Sequence, residues 1–452
     1  MKKGMFFALA ASSLLFSACS SDDAVVSTEG QNEAVQQIVL QVASSGDGLT
    51  TRAGRPLYSS QALQTIQNVR VLIYNADTKA IVKDEKKDWK TSTTYTNHGR
   101  ELTLTYKGDK RLEKGNYKVM AVGYSDNSDY IYDLNVAGKD SLTGKTYSRD
   151  ITATLNSGKV PEEVFAGDAA LTIGDDKKIT NLTQGEEDGL DVTLHRQVAG
   201  SFGYFSNIPA RVNGKDAKTL RLVVRDKNDK LTFNNFNSSF TAAGATGSTI
   251  KYCVNGSTST GAPLATDAKF KDGSNGYVLY SIDLNVWFKN GDTNHDGLLT
   301  EEDGWTHADI FKKTTLVKGS VFGSNFVIPF ALTHEKSTME LQLLDAAGDI
   351  IKTWTVSIPA KDVNHDDTNG NVADESASIF NVVRNHMYNL GVKPSNGGKT
   401  DPDPSNPDPE PKPDPDPDKP DPDKPEDLTK SQNLILKVND NWEAIHQMEL
   451  GD

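Results

Sequence analysis

Apolar and polar residues alternate in short segments along most of the chain, which is the pattern of half-buried β-strands. Clear examples cover 69–74, 102–106, 117–122, 220–224 and 339–344, and turns rich in Gly, Asn, Asp and Thr separate them. The sequence contains no long amphipathic helical stripe. We therefore predict an all-β protein built from β-sandwich domains.

Two strand-like segments near opposite ends of the chain match each other. In the first, Gln37–Val42, every second residue from Ile38 onward is apolar. The second repeats this pattern at Leu434, Leu436 and Val438. An N-terminal strand that can be removed and a C-terminal look-alike suggest that the C-terminal strand of one copy replaces the N-terminal strand of another, which would make a polymer.

The length of the chain and its changes in composition predict two domains with extensions at both ends. The boundary between the domains is placed next to the polar-to-apolar run 192–200. The predicted segments are a signal peptide 1–18, an N-terminal propeptide 19–52, a first β-sandwich domain 53–200, a second β-sandwich domain 201–395, a Pro/Asp-rich linker 396–427 and a C-terminal donor-strand segment 428–452.

Proline alternates with charged residues over 401–427, which carry 11 acidic residues and 3 lysines and so contribute −8 to the net charge of −14. Such a segment cannot bury apolar surface and favours extended polyproline II, with a reach of roughly 80 Å. The apolar residues beyond it, including Trp442, are expected to dock on a neighbouring molecule. The alternative is that they fold back onto their own domain.

The N-terminus has the pattern of an export signal. Two lysines precede a short apolar stretch, which is too short to span a bilayer and ends in Ser17-Ala18-Cys19. This resembles a bacterial lipoprotein signal, in which Cys19 becomes the acylated N-terminus; an ordinary signal peptide with an incidental cysteine is the alternative. Cys253 alone remains after Cys19, so an intrachain disulfide is excluded.

An EF-hand-type loop is predicted over 292–303, with a glycine at its sixth position. A bound Ca²⁺ would have a structural role, and a merely polar turn is the alternative. The candidate oxygen ligands are Asp292, Asn294, Asp296, the Leu298 carbonyl, Thr300 and Asp303. A second stretch, 362–367, begins in a similar way but lacks the glycine, and a solvated loop is the preferred interpretation there.

The sequence favours no enzymatic activity. It contains no GxSxG, HExxH, P-loop or credible GxGxxG motif, and its eight histidines are scattered. A glycosidase-type carboxylate pair stays open, but no pair is singled out. The acidic balance argues against nucleic acid as a partner.

Several of these features in order resemble the fimbrillins, the subunits of type V pili in Bacteroidales. They are the lipoprotein signal, Thr51–Gly54, the run Val192–Ala199, Arg384–Tyr388 near the end of the second domain, and the Asp/Pro linker with a tryptophan-containing terminal strand. Within that family the chain is most similar to the shaft subunit of the minor fimbrium.

The resemblance implies tandem transthyretin-like, Greek-key β-sandwich domains and a lipidated (palmitate-bearing) precursor at the outer membrane. It also implies that an arginine-specific protease cuts between Arg52 and Ala53 and so removes the first strand. The opened groove would then accept a strand from the next subunit. The implied partners are other copies of this chain and accessory anchor and tip fimbrillins.

The sequence is therefore interpreted as a non-enzymatic shaft subunit of a cell-surface fimbria, polymerised by donor-strand exchange and supporting adhesion. The alternative interpretation is a non-polymerising surface lipoprotein that binds glycans or host proteins.

Overall fold

The computed structural model describes most of both predicted domains and two short stretches near the C-terminus. The described residues are 35–42, 67–96, 99–147, 151–182, 189–233, 255–259, 264–306, 316–330, 339–357, 382, 384, 387–391, 424–430 and 433–439.

The first half of the chain forms ten strands, one short helix and two 3₁₀ turns. The strands are β1 Gln36–Val42, β2 Asn68–Asn75, β3 Ile81–Asp88, β4 Thr94–Thr96, β5 Gly99–Tyr106, β6 Gly115–Tyr124, β7 Tyr130–Tyr132, β8 Thr152–Leu155, β9 Phe165–Ile173 and β10 Leu190–Arg196. Helix α1 is Trp89–Ser92, and the 3₁₀ turns are Gly108–Lys110 and Asp133–Asn135.

Eight of these strands form a folded sheet in the order β3-β2-β6-β9-β10-β1-β5-β4. Strand β10 joins the two layers, because Leu190–Leu194 pair with β1 whereas only His195 and Arg196 pair with β9. The layers approach closely at Gly167, where an added Cβ would lie 1.9 Å from the Thr193 carbonyl oxygen. The apolar core of the first domain lies between the two layers.

The second half forms the remaining strands, one short helix and one 3₁₀ turn. The strands are β11 Ala199–Ser206, β12 Ile208–Pro209, β13 Arg211–Val212, β14 Lys215–Asp216, β15 Thr219–Val224, β16 Lys230–Thr232, β17 Gly256–Ser257, β18 Ala268–Lys269, β19 Asn275–Asp283, β20 Leu298–Leu299, β21 Val321–Val327, β22 Met339–Leu344, β23 Ile350–Ser357, β24 Met387–Leu390, β25 Glu426–Asp427, β26 Asn433–Ile435 and β27 Lys437–Asn439. Helix α2 is Leu284–Trp287, and the 3₁₀ turn is Glu301–Asp303.

Two sheets make up the second domain. One has the order β18-β19-β15-β22-β23-β26, and the other has the order β21-β11-β24-β27, with β25 also paired to β11. The C-terminal stretch thus supplies strands to both sheets. The predicted linker ends at Asp427, and its last two residues already form β25 on the second domain.

The two domains share structure across their junction. The chain passes from β10 to β11 through Gln197 and Val198, both fully buried. A separate four-stranded sheet has the order β17-β16-β8-β7, so each domain contributes two of its strands. Beside the junction, Arg196 and Glu163 form a completely buried ion pair with an Nε–Oε1 distance of 2.8 Å.

The prediction of an all-β protein is confirmed. The predicted domain boundary, residue 200, lies at the start of β11. Periodicity alone did not indicate the shared sheet, since its strands are short and their partners lie far apart in the sequence.

Candidate functional site

Strand β1 occupies an interior position of the first-domain sheet. It runs parallel to β10, with Ile38–Val42 beside Leu190–Leu194, and antiparallel to β5, with Gln36–Gln41 beside Tyr106–Glu101. Ile38 and Leu40 are 1% and 0% exposed. The alternating pattern predicted this inward face. An interior position for so early a strand follows from long-range pairing.

A buried amide anchors the start of β1. Gln36 is 1% exposed and follows the inward parity of Ile38 and Leu40. Its Nε2 donates to the carbonyl oxygens of Leu112 at 3.0 Å and Lys177 at 2.8 Å, and its Oε1 accepts from the Leu112 N–H at 2.7 Å. The sequence analysis missed Gln36, although continuing the period of two by one position would have found it.

The outward face of β1 is half-buried and partly polar. Gln41 lies opposite Glu101 of β5, and its Nε2 donates to Asp191 Oδ2 of β10 at 3.4 Å. Near the other end, Gly189 lets the chain approach closely, because an added Cβ there would lie 3.0 Å from the Gln37 Cβ and carbonyl oxygen. A strand in this position therefore meets a narrow passage at one end and two carboxylates at the other.

Removing β1 would leave a slot between two strands that do not pair with each other. Along Leu190–Leu194 of β10 and along most of β5, main-chain N–H and C=O groups would lose their partners on this side. Unpaired groups of this kind accept an added strand. We call the space now filled by Gln36–Val42 the first-strand groove.

The C-terminal stretch lies on its own second domain in this structure. Strand β26 pairs parallel to Thr355–Ser357 of β23, and β27 pairs antiparallel to Met387–Asn389 of β24. Leu434 and Leu436 are 1% and 0% exposed. This is the fold-back arrangement that the sequence analysis kept as an alternative, and the segment Asn433–Asn439 is here called the parked segment.

Four of the predicted site residues lie outside the described residues. They are the lipidation site Cys19, the cleavage site Arg52 and Ala53, and Trp442 of the donor segment. The side chain of Val438 also lies outside that description, although its main chain belongs to β27.

The first half of the predicted calcium loop folds around its own side-chain oxygens. The Gly297 N–H donates to Asp292 Oδ2 at 3.0 Å, and the Asp296 N–H donates to Asn294 Oδ1 at 3.1 Å. The sharp turn requires the left-handed conformation of Gly297, at φ +87°. Asp292 Oδ1 is buried and has no hydrogen-bond partner.

Asp303 closes the other end of this loop and is 0% exposed. Its two oxygens accept main-chain hydrogen bonds from Thr293 and Thr300, each at 2.8 Å. Burial raises the pKa of Asp303, but the hydrogen bonds from Thr300 and Thr293 outweigh it, so the pKa lies below its ordinary value. Asp303 is thus an anchor of the loop, and its predicted role as a ligand stays a prediction.

Within the described ranges, no three His, Cys, Asp or Glu residues form a group that could hold a metal. The candidate set at the loop therefore depends on Asn294, Thr300 and a main-chain carbonyl in addition to its carboxylates. In the same described part of the chain, no helix is long and apolar enough to cross a membrane.

Solved structures similar to this chain include fimbrial proteins of Bacteroidales. A fimbrial assembly protein from Parabacteroides distasonis is 15% identical, with 79% of this chain and 91% of that chain covered and a TM-score of 0.35. The fimbrial anchor protein Mfa2 from Porphyromonas gingivalis is 10% identical, with 79% and 90% covered and a TM-score of 0.32. The tip fimbrial protein Mfa3 from Porphyromonas gingivalis, truncated at its C-terminus, is 10% identical, with 82% and 96% covered and a TM-score of 0.31.

No family model matches the chain, and no curated protein matches its sequence. The structural likenesses are distant, so the functional argument below rests on the geometry of this chain.

Proposed function

We propose that this protein is a structural, non-enzymatic shaft subunit of a cell-surface fimbria and polymerises by donor-strand exchange. The observation that carries the proposal is the interior position of β1. A strand near the N-terminus that is paired on both sides, and that precedes a candidate cleavage site at Arg52, is suited to be removed and replaced.

The precursor would be a lipoprotein held at the outer membrane through acylated Cys19, with a palmitate chain among its lipids. An arginine-specific protease would cut between Arg52 and Ala53 and release the propeptide together with β1. Until then β1 keeps the groove filled, because its inward residues Ile38 and Leu40 contribute about 1.5–3 kcal/mol each on burial. Cleavage therefore controls when the groove opens.

The donor would be the C-terminal strand of a second copy, with Leu434, Leu436 and Val438 entering the groove and Trp442 docking beyond it. These residues begin in the parked segment, where β26 and β27 are edge strands of their sheets. A strand in the first-strand groove pairs on both sides, so the exchange gains main-chain hydrogen bonds. Anchor and tip fimbrillins would occupy the two ends of such a filament.

We also propose a structural Ca²⁺ in the 292–303 loop. The oxygens of Asp292, Asn294 and Asp296 and the carbonyl of Leu298 would hold it, since hard cations bind clustered oxygens. The buried Asp292 Oδ1, which has no hydrogen-bond partner, supports this assignment. The ion would rigidify the loop without a role in chemistry.

The second candidate is a non-polymerising surface lipoprotein that binds glycans or host proteins. The parked segment favours it, because Leu434 and Leu436 are already buried within one copy. That chain would need no second copy to cover its apolar C-terminus.

Treatment with a trypsin-like protease separates the two candidates. For a fimbrial subunit we expect cleavage after Arg52, followed by filaments in electron micrographs and oligomers in size-exclusion chromatography. Arg52→Ala should stay monomeric, and deletion of 428–452 should leave a cleaved monomer that cannot donate. A cleaved parent protein that stays monomeric would instead support the surface lipoprotein.

A further inference from the structure

The sequence of the C-terminal strand matches the first-strand groove over seven consecutive positions. Gln36–Val42 reads QQIVLQV, and residues 432–438 read QNLILKV. Aligned without a gap, the apolar residues coincide on the inward face. The alignment also places Gln432 at the position of Gln36 and Lys437 at the position of Gln41.

We propose that residues 432–438 of a second copy enter the first-strand groove in the direction and register of β1, with Gln432 as the residue that sets the register. This inference rests on the proposed donor-strand exchange and specifies how the two copies align. The incoming strand would run parallel to β10 and antiparallel to β5, as β1 does.

The Gln36 site is selective for a primary amide. It presents one main-chain N–H, from Leu112, and two carbonyl oxygens, from Leu112 and Lys177, to a side chain that is 1% exposed. An amide offers both an acceptor and two donor hydrogens, whereas a carboxylate has no hydrogen to donate. Gln432 has the same length and chemistry as Gln36 and would satisfy all three groups.

A shift by one residue would break this match. Because the side-chain period of a strand is two, the shift would turn the inward apolar face to solvent and bring Lys437 into the core. A shift by two would keep the faces but place an apolar or charged residue at the amide site. The amide therefore distinguishes the correct register from shifted registers of the same parity, which apolar burial alone does not.

The outward face gives the incoming strand a charge advantage over β1. Gln41 of β1 lies opposite Glu101 and hydrogen-bonds to Asp191. In the same register, the ammonium group of Lys437 would lie between these two carboxylates. Opposite charges on neighbouring strands attract, so the groove favours the donor strand over the propeptide strand at this position.

Disulfide trapping tests the register directly in the full chain with Cys253→Ser. One protein carries Asn433→Cys as donor and the other carries Thr105→Cys as acceptor, since Thr105 lies opposite Gln37 and is exposed. After cleavage and mixing, oxidation should give a disulfide-linked heterodimer. The matched acceptor Thr103→Cys lies on the same strand and face two residues away, and it should give little product because its distance exceeds disulfide reach.

Gln432→Ala tests the amide. It leaves three buried main-chain groups without partners, so the assembly equilibrium should fall about tenfold or more. The control Asn433→Ala truncates the neighbouring outward residue and should assemble like the parent. If Asn433→Ala is the more harmful of the two, the donor enters with opposite parity and the proposal is wrong.

Deletion of 428–452 separates failure of the register from failure of the proposed function. If the deleted protein cannot donate, yet Thr103→Cys captures Asn433→Cys or neither acceptor does, a C-terminal donor survives and the register is overturned. If the deleted protein still donates and forms filaments, the C-terminal donor itself is wrong, and the register falls with it.

Discussion

Gln36 shows how one polar side chain can hold a strand in place. It lies on the inward face of β1 among apolar residues, and its amide satisfies main-chain groups of Leu112 and Lys177. A buried polar group that is fully hydrogen-bonded stabilises modestly, but losing it leaves its partners unsatisfied at a larger cost. The specificity of the first-strand groove therefore depends on this residue more than on any single apolar side chain.

Gln36→Leu should destabilise the uncleaved protein by about 1–3 kcal/mol, since Leu fills the space but leaves three main-chain groups unpaired. Urea unfolding followed by circular dichroism measures the change in the free energy of unfolding. The matched control is Gln37→Leu, on the outward face of the same strand, which should change the stability by less than about 0.5 kcal/mol. Equal effects of the two variants would remove Gln36 as an anchor.

The 292–303 loop and the parked segment are the two elements whose behaviour depends on solution conditions. The loop already forms its turn through hydrogen bonds to Asp292 and Asn294, so a cation would add to an existing conformation. The parked segment follows β25, where Asp427 accepts hydrogen bonds from Thr429. Each element therefore offers a separate test by a change in metal or in pH.

Asp292→Ala combined with Asp296→Ala should remove one bound Ca²⁺ and abolish the stabilisation that calcium gives. Binding to the folded state alone contributes about 2.7 kcal/mol at a hundredfold excess of free ion over Kd. Calcium content by mass spectrometry of the native protein and thermal melts with and without EDTA provide the measurements. If parent and variant bind equal calcium and melt alike in both conditions, the loop is only a polar turn.

Acid should loosen the parked segment through Asp427. Burial raises the pKa of Asp427, but hydrogen bonds from Thr429, Asn207 and Lys430 outweigh it and lower the pKa to about 2. Because the folded pKa is depressed, the stabilisation is complete above the ordinary value near 4 and is lost as the pH falls towards 2. Pepsin should therefore cut within 428–439 progressively faster over this range.

Asp427→Asn is the control for the acid effect. It lacks the titrating group, so its rate of pepsin cleavage relative to the parent should be higher near pH 4 and similar near pH 2. A constant ratio across this range would show that another group controls release of the segment. Circular dichroism at each pH verifies that both domains stay folded.

The whole molecule is coupled by the sheet that the two domains share. Strands β8 and β16 pair with each other across the junction, and the connection from β10 to β11 is buried. The buried Arg196–Glu163 pair lies beside the same connection. Opening one domain would therefore expose main-chain groups and apolar surface of the other, so the two should unfold together.

A single calorimetric transition is the expected result for the uncleaved protein. Leu231→Ala, in β16 of the shared sheet and 0% exposed, should lower the temperature of the whole transition, with a loss of about 2–5 kcal/mol. Ile131→Ala, in β7 of the same sheet but 63% exposed, should have little effect. Two separate transitions, with only one shifted by Leu231→Ala, would show that the domains unfold independently.

Local periodicity was sufficient to predict the all-β class and the inward faces of β1 and of the C-terminal strand. Burial of alternate side chains is a property of the segment itself, so Ile38, Leu40, Leu434 and Leu436 were identified correctly. The DxNxDG spacing likewise predicted a turn centred on Gly297. These features depend on residues that are neighbours in the sequence.

The tertiary structure decided which strands are partners. The interior position of β1, the amide site of Gln36 and the place of the parked segment all depend on residues far away in the sequence, and local periodicity carries no information about them. Asp303 is similar, because its spacing suits a ligand while its oxygens are used by main-chain donors. The sequence by itself determined which side chains are buried, and long-range hydrogen bonding determined what they are buried against.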